Sequence, residues 1–196
     1  FCDGGDLFEY LNSKTKPMEE AKAKYVVAEI FLALEYIHSL GVVYRDLKLE
    51  NVLLDKNGHV RLADFGLSKL LRRDESPTLI RTNTFCGTRE YVAPEMLART
   101  PYDTSVDLWA FGILLYEILC GRTPFYSKER DEIYERIQKT PVFYPKELSE
   151  DVQDLLQGLL QRDASRRLGA CGRGLQDVKS HVWFSGVDWN SLPLKK

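Results

Sequence analysis

Eight consecutive residues, from Tyr44 to Asn51, carry the side chains of this chain that are best suited to chemistry. Within this segment Asp46 can accept a proton from a hydroxyl or orient it, and Lys48 can stabilise developing negative charge. Asn51 supplies a hard oxygen ligand of the kind that Mg²⁺ takes, usually together with substrate phosphates and waters. A base, a cation and a metal ligand in one short segment indicate phosphoryl transfer, which depends mainly on positioning and charge stabilisation.

The flanking sequence predicts the elements that position this segment. A helix is expected from Pro17, in its first turn, to about Leu40, with the buried stripe Ala23, Val27, Ile30, Leu34 and Ile37. After the segment, the apolar runs 52–54 and 60–62 flank the turn sequence Asp-Lys-Asn-Gly and predict a hairpin. Asp64-Phe65-Gly66 follows the hairpin, which carries a second acidic metal ligand back towards the first.

The segment resembles the catalytic loop of protein kinases, with Tyr44 where most members have His. Three further motifs follow in the family's order: the metal-binding triplet Asp64-Phe65-Gly66, the run Thr84-Phe85-Cys86-Gly87-Thr88, and Ala93-Pro94-Glu95, which closes the activation segment. Tyr-Arg-Asp together with Thr-Phe-Cys-Gly-Thr is similar to the AGC group of serine/threonine kinases, which includes the cyclic-nucleotide-dependent, Akt, S6 and SGK-type enzymes. The resemblance covers essentially the whole chain.

The resemblance implies transfer of the γ-phosphoryl group of ATP to Ser or Thr hydroxyls. It assigns Asp46 and Lys48 to catalysis, and Asn51 and Asp64 to binding of Mg²⁺. It also implies a nucleotide-binding group formed by Cys2 at the hinge, whose backbone would bond the adenine base, by Asp6, and by Leu53 on the floor of the adenine pocket.

The resemblance further implies a phosphorylation switch. Thr84 aligns with the position that is phosphorylated in this group, and Arg45 and Lys69 align with the residues that pair with its phosphate. This interpretation requires an upstream activating kinase, whereas a loop Thr considered alone would be a plain surface hydroxyl. Ser76, followed by Pro77, is a second possible phosphorylation site, although Ser-Pro pairs are common in turns for local reasons.

Basic protein substrates are expected from the same comparison. Asp6, Glu50 and Glu117 align with acidic residues that bind Arg or Lys on the N-terminal side of the acceptor. The alternative is that these are surface or capping acids, above all Asp6. Thr88 aligns with a Thr that bonds the catalytic Asp and Lys. Arg89 departs from the family, in which most members have Pro, and is expected to affect how the residue after the acceptor is seated.

Three residues receive structural roles from the resemblance. Arg167 aligns with the arginine that pairs with the Glu of the Ala-Pro-Glu motif, here Glu95. Asp107 aligns with the residue that anchors the backbone of the catalytic loop, and a simple helix N-cap is the alternative. Asp107 lies at the start of a helix predicted at 106–120, which is apolar almost all round and therefore expected to be buried on every side.

The predicted fold is α+β and mostly α-helical: the C-terminal (large) lobe of a protein kinase with a small β-hairpin region and without the N-terminal β-rich lobe. Residues 1–196 are expected to form a partial catalytic domain, from the hinge to the end of the large lobe. The Gly-rich loop and the strand lysine of the family are not found in this sequence. We therefore expect residues 1–196 alone to fold but not to transfer phosphate.

Composition sets limits on class and location. A chain with 44% hydrophobic and 29% charged residues is typical of a globular protein, and the net charge of −2 gives no indication of nucleic-acid binding. Four scattered Cys and the lack of an Asn-x-Ser/Thr site favour a cytoplasmic setting, with the nucleus as a second location. No apolar run reaches the length of a membrane span.

Two alternatives to the kinase stay open. A stand-alone kinase-like lobe, or pseudokinase, would bind peptides or partners without catalysis. A metal-dependent hydrolase could use Asp46 and Asp64, but it would not account for Lys48 or for the run that starts at Thr84. The enzyme is favoured because the two acids, Lys48 and Asn51 are all present.

Overall fold

Helix α4 (Ser105–Cys120) lies at the centre of the fold, because it is apolar on nearly every side. The computed structural model describes residues 2–71, 82 and 84–192. The other helices of these residues are α1 (Leu7–Asn12), α2 (Glu20–Ser39), α3 (Pro94–Leu97), α5 (Arg130–Lys139), α6 (Glu150–Leu159) and α7 (Leu175–Lys179). The strands are β1 (Val42–Val43), β2 (Val52–Leu54), β3 (Val60–Leu62) and β4 (Lys69–Leu70). The predicted α+β, mostly helical fold is confirmed.

Helices α2 and α6 form the main layers against α4. Phe31 of α2 meets Phe111 of α4 with ring centroids 5.4 Å apart. The ring of Trp189 also packs on Phe31, with centroids 6.1 Å apart. Burial of each such apolar side chain contributes about 1.5–3 kcal/mol. The aromatic contacts therefore fasten the end of the described chain to the same core that carries α4.

Two small antiparallel sheets hold the ends of the segment 44–51. Strand β1 ends directly before it and β2 begins directly after it. Strand β2 pairs with β3, with Val52 opposite Leu62, and β1 pairs with β4, with Val43 opposite Lys69. The sheets thereby bring the Asp64-Phe65-Gly66 turn, which lies between β3 and β4, back to the segment.

The prediction that Pro17 lies in the first turn of a helix is wrong. Helix α2 begins at Glu20, because the backbone N–H of Met18 donates to the carbonyl oxygen of Ile118 at 3.1 Å and holds the preceding stretch against the end of α4. The possible phosphorylation site Ser76 lies outside the described residues. Within the described ranges, no helix combines the length and the apolar character needed to cross a membrane.

A buried ion pair joins α3 to the loop after α6. Arg167 has no exposed surface, and its two terminal nitrogens lie 2.7 and 2.9 Å from the two carboxylate oxygens of Glu95. The same guanidinium donates to the carbonyl oxygen of Ser105 at 2.7 Å and lies over the ring of Trp109 at 5.3 Å. The buried cation is therefore paired with a carboxylate, a carbonyl oxygen and an aromatic ring.

Replacement of Arg167 by Met should lower the free energy of unfolding by about 3–5 kcal/mol, because it leaves the carboxylate of Glu95 nearly buried without its cation. The double variant Arg167→Met with Glu95→Gln should recover a large part of that loss. Chemical denaturation measures both. The exposed pair formed by Lys139 and Glu135, 3.2 Å apart, is the matched control, and Lys139→Met should cost less than about 0.5 kcal/mol. Equal losses for the two single variants would contradict the role of burial.

Candidate active site

The segment 44–51 is fixed at its start by the carboxylate of Asp107. This residue has no exposed surface, and its two oxygens accept from the backbone N–H groups of Tyr44 and Arg45, both at 2.8 Å. His38 Nε2 lies 2.7 Å from the same carboxylate. The alternative interpretation of Asp107 as an N-cap is excluded, since Thr104 occupies the N-cap position of α4.

Arg45 adopts a left-handed backbone conformation with φ of 68°. Residues other than glycine rarely adopt this backbone conformation, which costs of order 1–3 kcal/mol. The hydrogen bond from the Arg45 N–H to Asp107 stabilises this turn. The turn at Arg45 therefore sets the orientation of the next residue, Asp46.

Asp46 is the common partner of three polar side chains. Asn51 Nδ2 donates to Asp46 Oδ2 at 3.0 Å and to the Asp46 carbonyl oxygen at 2.9 Å. Lys48 Nζ lies 3.1 Å from Oδ2, and Thr88 Oγ1 donates to Oδ1 at 3.1 Å. The structure thus brings three sequence-predicted residues together on the carboxylate of a fourth, Asp46, which is only 6% exposed. Such a group can orient a hydroxyl and accept its proton.

A close backbone contact at Gly87 allows Thr88 to reach Asp46. The backbone of Gly87 has φ of 102°, and a Cβ atom there would lie 2.9 Å from the carbonyl oxygen of Arg45. Only glycine combines that conformation with that approach. The run that begins at Thr84 is therefore pressed directly against the segment 44–51.

Asp64 lies beside Asn51 through the backbone. The N–H of Ala63 donates to the Asn51 carbonyl oxygen at 2.9 Å, and the hydroxyl of Tyr44 donates to the carbonyl oxygen of Ala63. The Phe65 ring packs edge-on against Tyr44 with centroids 5.3 Å apart. The tyrosine that replaces the family's His thus ties the segment 44–51 to the Asp64-Phe65-Gly66 turn. Burial, and next the charge of Asp46, raise the pKa of the Tyr44 phenol, so it stays protonated and acts as a donor.

The donor set around Asn51 and Asp64 fits Mg²⁺. Because Asn51 uses its amide nitrogen towards Asp46, its amide oxygen is the atom left for a cation. Asp64 is exposed, has φ of 55°, and accepts from the Gly66 N–H at 2.9 Å through Oδ1. Across the described residues no cluster of three His, Cys, Asp or Glu side chains could hold a metal. Two hard oxygen donors match Mg²⁺, which takes its other ligands from phosphates and waters.

The predicted nucleotide-binding residues lie on one edge, where the chain before α1 pairs with β2. Gly4 N–H donates to the Leu54 carbonyl oxygen at 3.0 Å, and Asp6 forms a bridge with Leu53. A Cβ atom at Gly4 would lie 2.8 Å from that carbonyl oxygen, so this glycine serves close packing rather than flexibility. Asp6 Oδ1 caps α1 by accepting from the Glu9 N–H at 2.8 Å, which is the alternative role expected for it. Cys2 is half-buried in the same stretch.

Thr84 lies near both predicted cations but contacts neither directly. Lys69 Nζ donates to Thr82 Oγ1 at 2.8 Å, and Thr82 Oγ1 lies 3.3 Å from Thr84 Oγ1. Arg45 reaches the hydroxyl of Tyr102 at 3.3 Å, and that hydroxyl donates to the Thr84 carbonyl oxygen at 2.6 Å. Thr82 and Tyr102 are the residues that sequence reasoning missed. Tyr102 carries no local signal, because it belongs to the loop before α4.

Glu117 lies in a cluster of carboxylates near the end of α4. The hydroxyl of Tyr91 donates to it, and Glu90, whose own carboxylate accepts from Thr123 Oγ1 at 2.7 Å, is a neighbour. Burial, together with the charges of Glu90 and Glu50 and against the lowering effect of the Tyr91 bond, raises the pKa of Glu117 to about 7. A groove of about 270 Å³ opens beside this cluster, and its lining includes Phe8, Leu11, Leu49 and Glu117. We call it the Glu117 groove.

The fold and the site define a protein kinase. The protein kinase domain family matches residues 1–184, and the chain belongs to that family. It is 46% identical over 192 residues to cAMP-dependent protein kinase type 3 of Saccharomyces cerevisiae. The aligned residues are 98% of this chain and 46% of that protein.

Two other relatives place it among the AGC kinases, as predicted. RAC serine/threonine-protein kinase of Drosophila melanogaster is 43% identical over 197 residues, which is 100% of this chain and 31% of that protein. Serine/threonine-protein kinase Sgk1 of Fundulus heteroclitus is 45% identical over 196 residues, which is 100% of this chain and 44% of that protein. The chain therefore spans less than half the length of these curated relatives.

The raised pKa of Glu117 predicts a pH-dependent stability. Its pKa is about 7 in the folded chain and 4.5 is the ordinary value of a glutamate, so the folded state holds the proton more tightly. This contribution to stability is therefore largest below about pH 4.5, falls as pH rises to about 7, and is constant above. The unfolding midpoints of wild type and Glu117→Gln, measured from pH 4 to pH 8, should diverge across this range in favour of Gln.

The matched control for that experiment is Glu147→Gln, which removes an exposed carboxylate outside the cluster around Glu117. Its difference from wild type should not follow the same pH window. A constant difference between wild type and Glu117→Gln from pH 4 to pH 8 would contradict the raised pKa.

Proposed function

We propose that this chain is the large lobe of a serine/threonine protein kinase that transfers the γ-phosphoryl group of ATP to Ser or Thr hydroxyls of basic protein substrates. The observation that carries the proposal is the convergence of Lys48, Asn51 and Thr88 on the carboxylate of Asp46. In this proposal residues 1–196 extend from the hinge to the end of the large lobe. The protein works in the cytoplasm and also in the nucleus.

Asp46 orients the acceptor hydroxyl and takes its proton. Its Oδ2 is held by Asn51 and Lys48 and its Oδ1 by Thr88, which leaves the carboxylate little freedom to turn away from a bound hydroxyl. Lys48, whose side chain is 23% exposed, remains accessible to the phosphoryl group and stabilises its charge. Thr88 positions the substrate strand by contacting the same carboxylate.

Asn51 and Asp64 hold Mg²⁺ with their free oxygens. When bound, this ion neutralises the phosphate oxygens and fixes their orientation. The backbone bond from Ala63 to Asn51 keeps the two ligands on neighbouring segments. Cys2, Asp6 and Leu53 border the nucleotide on the edge where the chain before α1 pairs with β2.

Basic side chains before the acceptor bind at the Glu117 groove. Glu50 and Glu90 lie close enough to Glu117 for their charges to raise its pKa, so this place favours an incoming positive charge. A guanidinium or ammonium group there restores the ionised form and gains an ion pair that is shielded from water. Apolar lining residues such as Phe8 and Leu11 receive the methylene stems of these long side chains.

Phosphorylation of Thr84 by an upstream kinase activates the enzyme. A phosphate adds about −1.5 to −2 charge. The hydroxyl of Thr82 lies between Lys69 and Thr84, and the phenol of Tyr102 lies between Arg45 and Thr84. Both cations can therefore turn to the phosphate without a backbone rearrangement. The phosphate then holds the Thr84 run against the segment 44–51.

Replacement of Asp46 by Asn in the complete protein should lower kcat by about 10²–10⁴-fold, the usual contribution of a positioned base. Affinity for Mg-ATP, measured by calorimetry, should be nearly unchanged, because Asp46 faces the acceptor. Asp64→Ala should instead abolish turnover, and normal concentrations of Mg²⁺ should not restore it.

The exposed residue Asp151 in the first turn of α6 provides the control, and Asp151→Asn should keep wild-type kcat. Near-normal turnover of Asp46→Asn with a basic Ser peptide would refute the role of Asp46. If the complete wild-type protein binds such peptides but never phosphorylates them, the non-catalytic lobe becomes the better description.

Thr84→Ala should leave the unfolding midpoint unchanged and prevent the rise of activity that treatment with an activating kinase produces. Lys69→Met should reduce that rise while leaving the activity of the untreated protein unchanged, because within the described residues the Lys69 ammonium donates only to Thr82. Phosphate incorporation and peptide turnover are measured on the same samples. Equal activity of treated wild type and treated Thr84→Ala would show that the Thr84 run needs no phosphate.

A further inference from the structure

Arg89 lies next to the residue that touches the catalytic carboxylate. It directly follows Thr88, whose hydroxyl donates to Asp46 at 3.1 Å, and consecutive Cα atoms are about 3.8 Å apart. Its side chain is exposed, and the residue begins the 3-10 turn Arg89–Tyr91. A long cationic side chain thus starts within one residue of the place where the acceptor hydroxyl is bound.

The geometry of the turn separates Arg89 from the acidic cluster. A 3-10 turn has three residues per turn, so its successive side chains point in three different directions. Tyr91 donates to Glu117, and Glu90 accepts from Thr123. Arg89 takes a third direction and is exposed to solvent.

Arg89 has no acidic partner among residues 2–71, 82 and 84–192. The adjacent carboxylate of Glu90 is engaged by Thr123 at 2.7 Å instead. Arg167 and Arg173 show the contrast, since each is paired with a carboxylate at less than 3 Å. No carboxylate of the described chain therefore pairs with this guanidinium, which lies beside the acceptor position. It is available to a carboxylate of the substrate, which its planar fork can bind with two parallel hydrogen bonds.

We infer that Arg89 selects substrates with an acidic residue immediately after the acceptor Ser or Thr. The inference rests on the proposed function, which places the acceptor at Asp46 and the preceding basic residues at the Glu117 groove. A substrate residue that follows the acceptor then lies beside Thr88 and meets Arg89. The substrate would carry opposite charges before and after the acceptor, with its basic residues facing Glu117 and its acidic residue facing Arg89.

The test uses the complete protein and a set of peptides with the same basic residues before Ser and with Glu, Gln or Lys directly after it. Wild type should show a kcat/KM about threefold to tenfold higher for Glu than for Lys, as expected for one exposed ion pair together with one repulsion. Arg89→Glu should reverse this order, and Arg89→Pro, which carries the family's usual residue, should remove it. The preference should weaken as salt is raised.

Arg166→Glu is the matched control, because Arg166 is also an exposed arginine in a three-residue 3-10 turn but has no contact with Asp46 or Thr88 in the described structure. It should keep the wild-type preference. An unchanged order in Arg89→Glu, or equal kcat/KM for Glu and Lys in wild type, would overturn the inference while leaving the kinase activity established.

A binding measurement separates this inference from the proposed function. Peptides with Ala in place of the acceptor, and Glu or Lys after it, cannot be phosphorylated, so fluorescence anisotropy reports only their affinity. The Glu peptide should bind wild type about threefold to tenfold more tightly, with the order reversed in Arg89→Glu. Equal affinities would overturn the role of Arg89 whether or not the protein transfers phosphate, whereas lack of turnover with the Glu preference intact would affect only the proposed function.

Discussion

The hydrogen bonds that Asp107 accepts from the backbone of Tyr44 and Arg45 determine how the rest of the site is arranged. The buried carboxylate belongs to the most apolar helix of the fold, so the core and the polar segment meet at this residue. An unpaired charge in such a place would be strongly destabilising, and backbone N–H groups together with His38 supply its partners. The left-handed turn at Arg45 follows from the same bonds, and the direction of Asp46 follows from the turn.

Three carboxyl groups near the site differ because of what surrounds them. Asp107 is fully enclosed and receives donors from the backbone, which suits a fixed structural anion. Asp46 is almost buried but faces side-chain donors and a lysine, so it can still meet a substrate hydroxyl. Glu117 is half-buried beside other acids, which raises its pKa to about 7 and makes it responsive to an incoming cation. Burial and the charge of neighbouring groups thus place the same functional group in three different environments.

The sequence predicted the family, the mostly helical fold and the hairpin because each of these leaves a contiguous signal. The convergence on Asp46 involves residues within one short segment together with Thr88, and the latter could be assigned only through the resemblance. Contacts made by single residues from distant loops, such as Tyr102 with Thr84, have no local pattern and were not predicted. Pro17 was assigned wrongly because a tertiary hydrogen bond of the next residue, Met18, outweighs the local preference for a helix start.

The position of Arg45 determines how far a signal must travel in the proposed switch. Its guanidinium reaches the surroundings of Thr84, while its own peptide unit leads directly to Asp46. The path from modification to catalysis is therefore one peptide unit long, and it crosses no interface between helices. Reorientation of a single side chain is faster than collective shifts of packed elements, which take microseconds to milliseconds. Under this arrangement the enzyme that adds the phosphate, and not a relaxation of the fold, sets the response time.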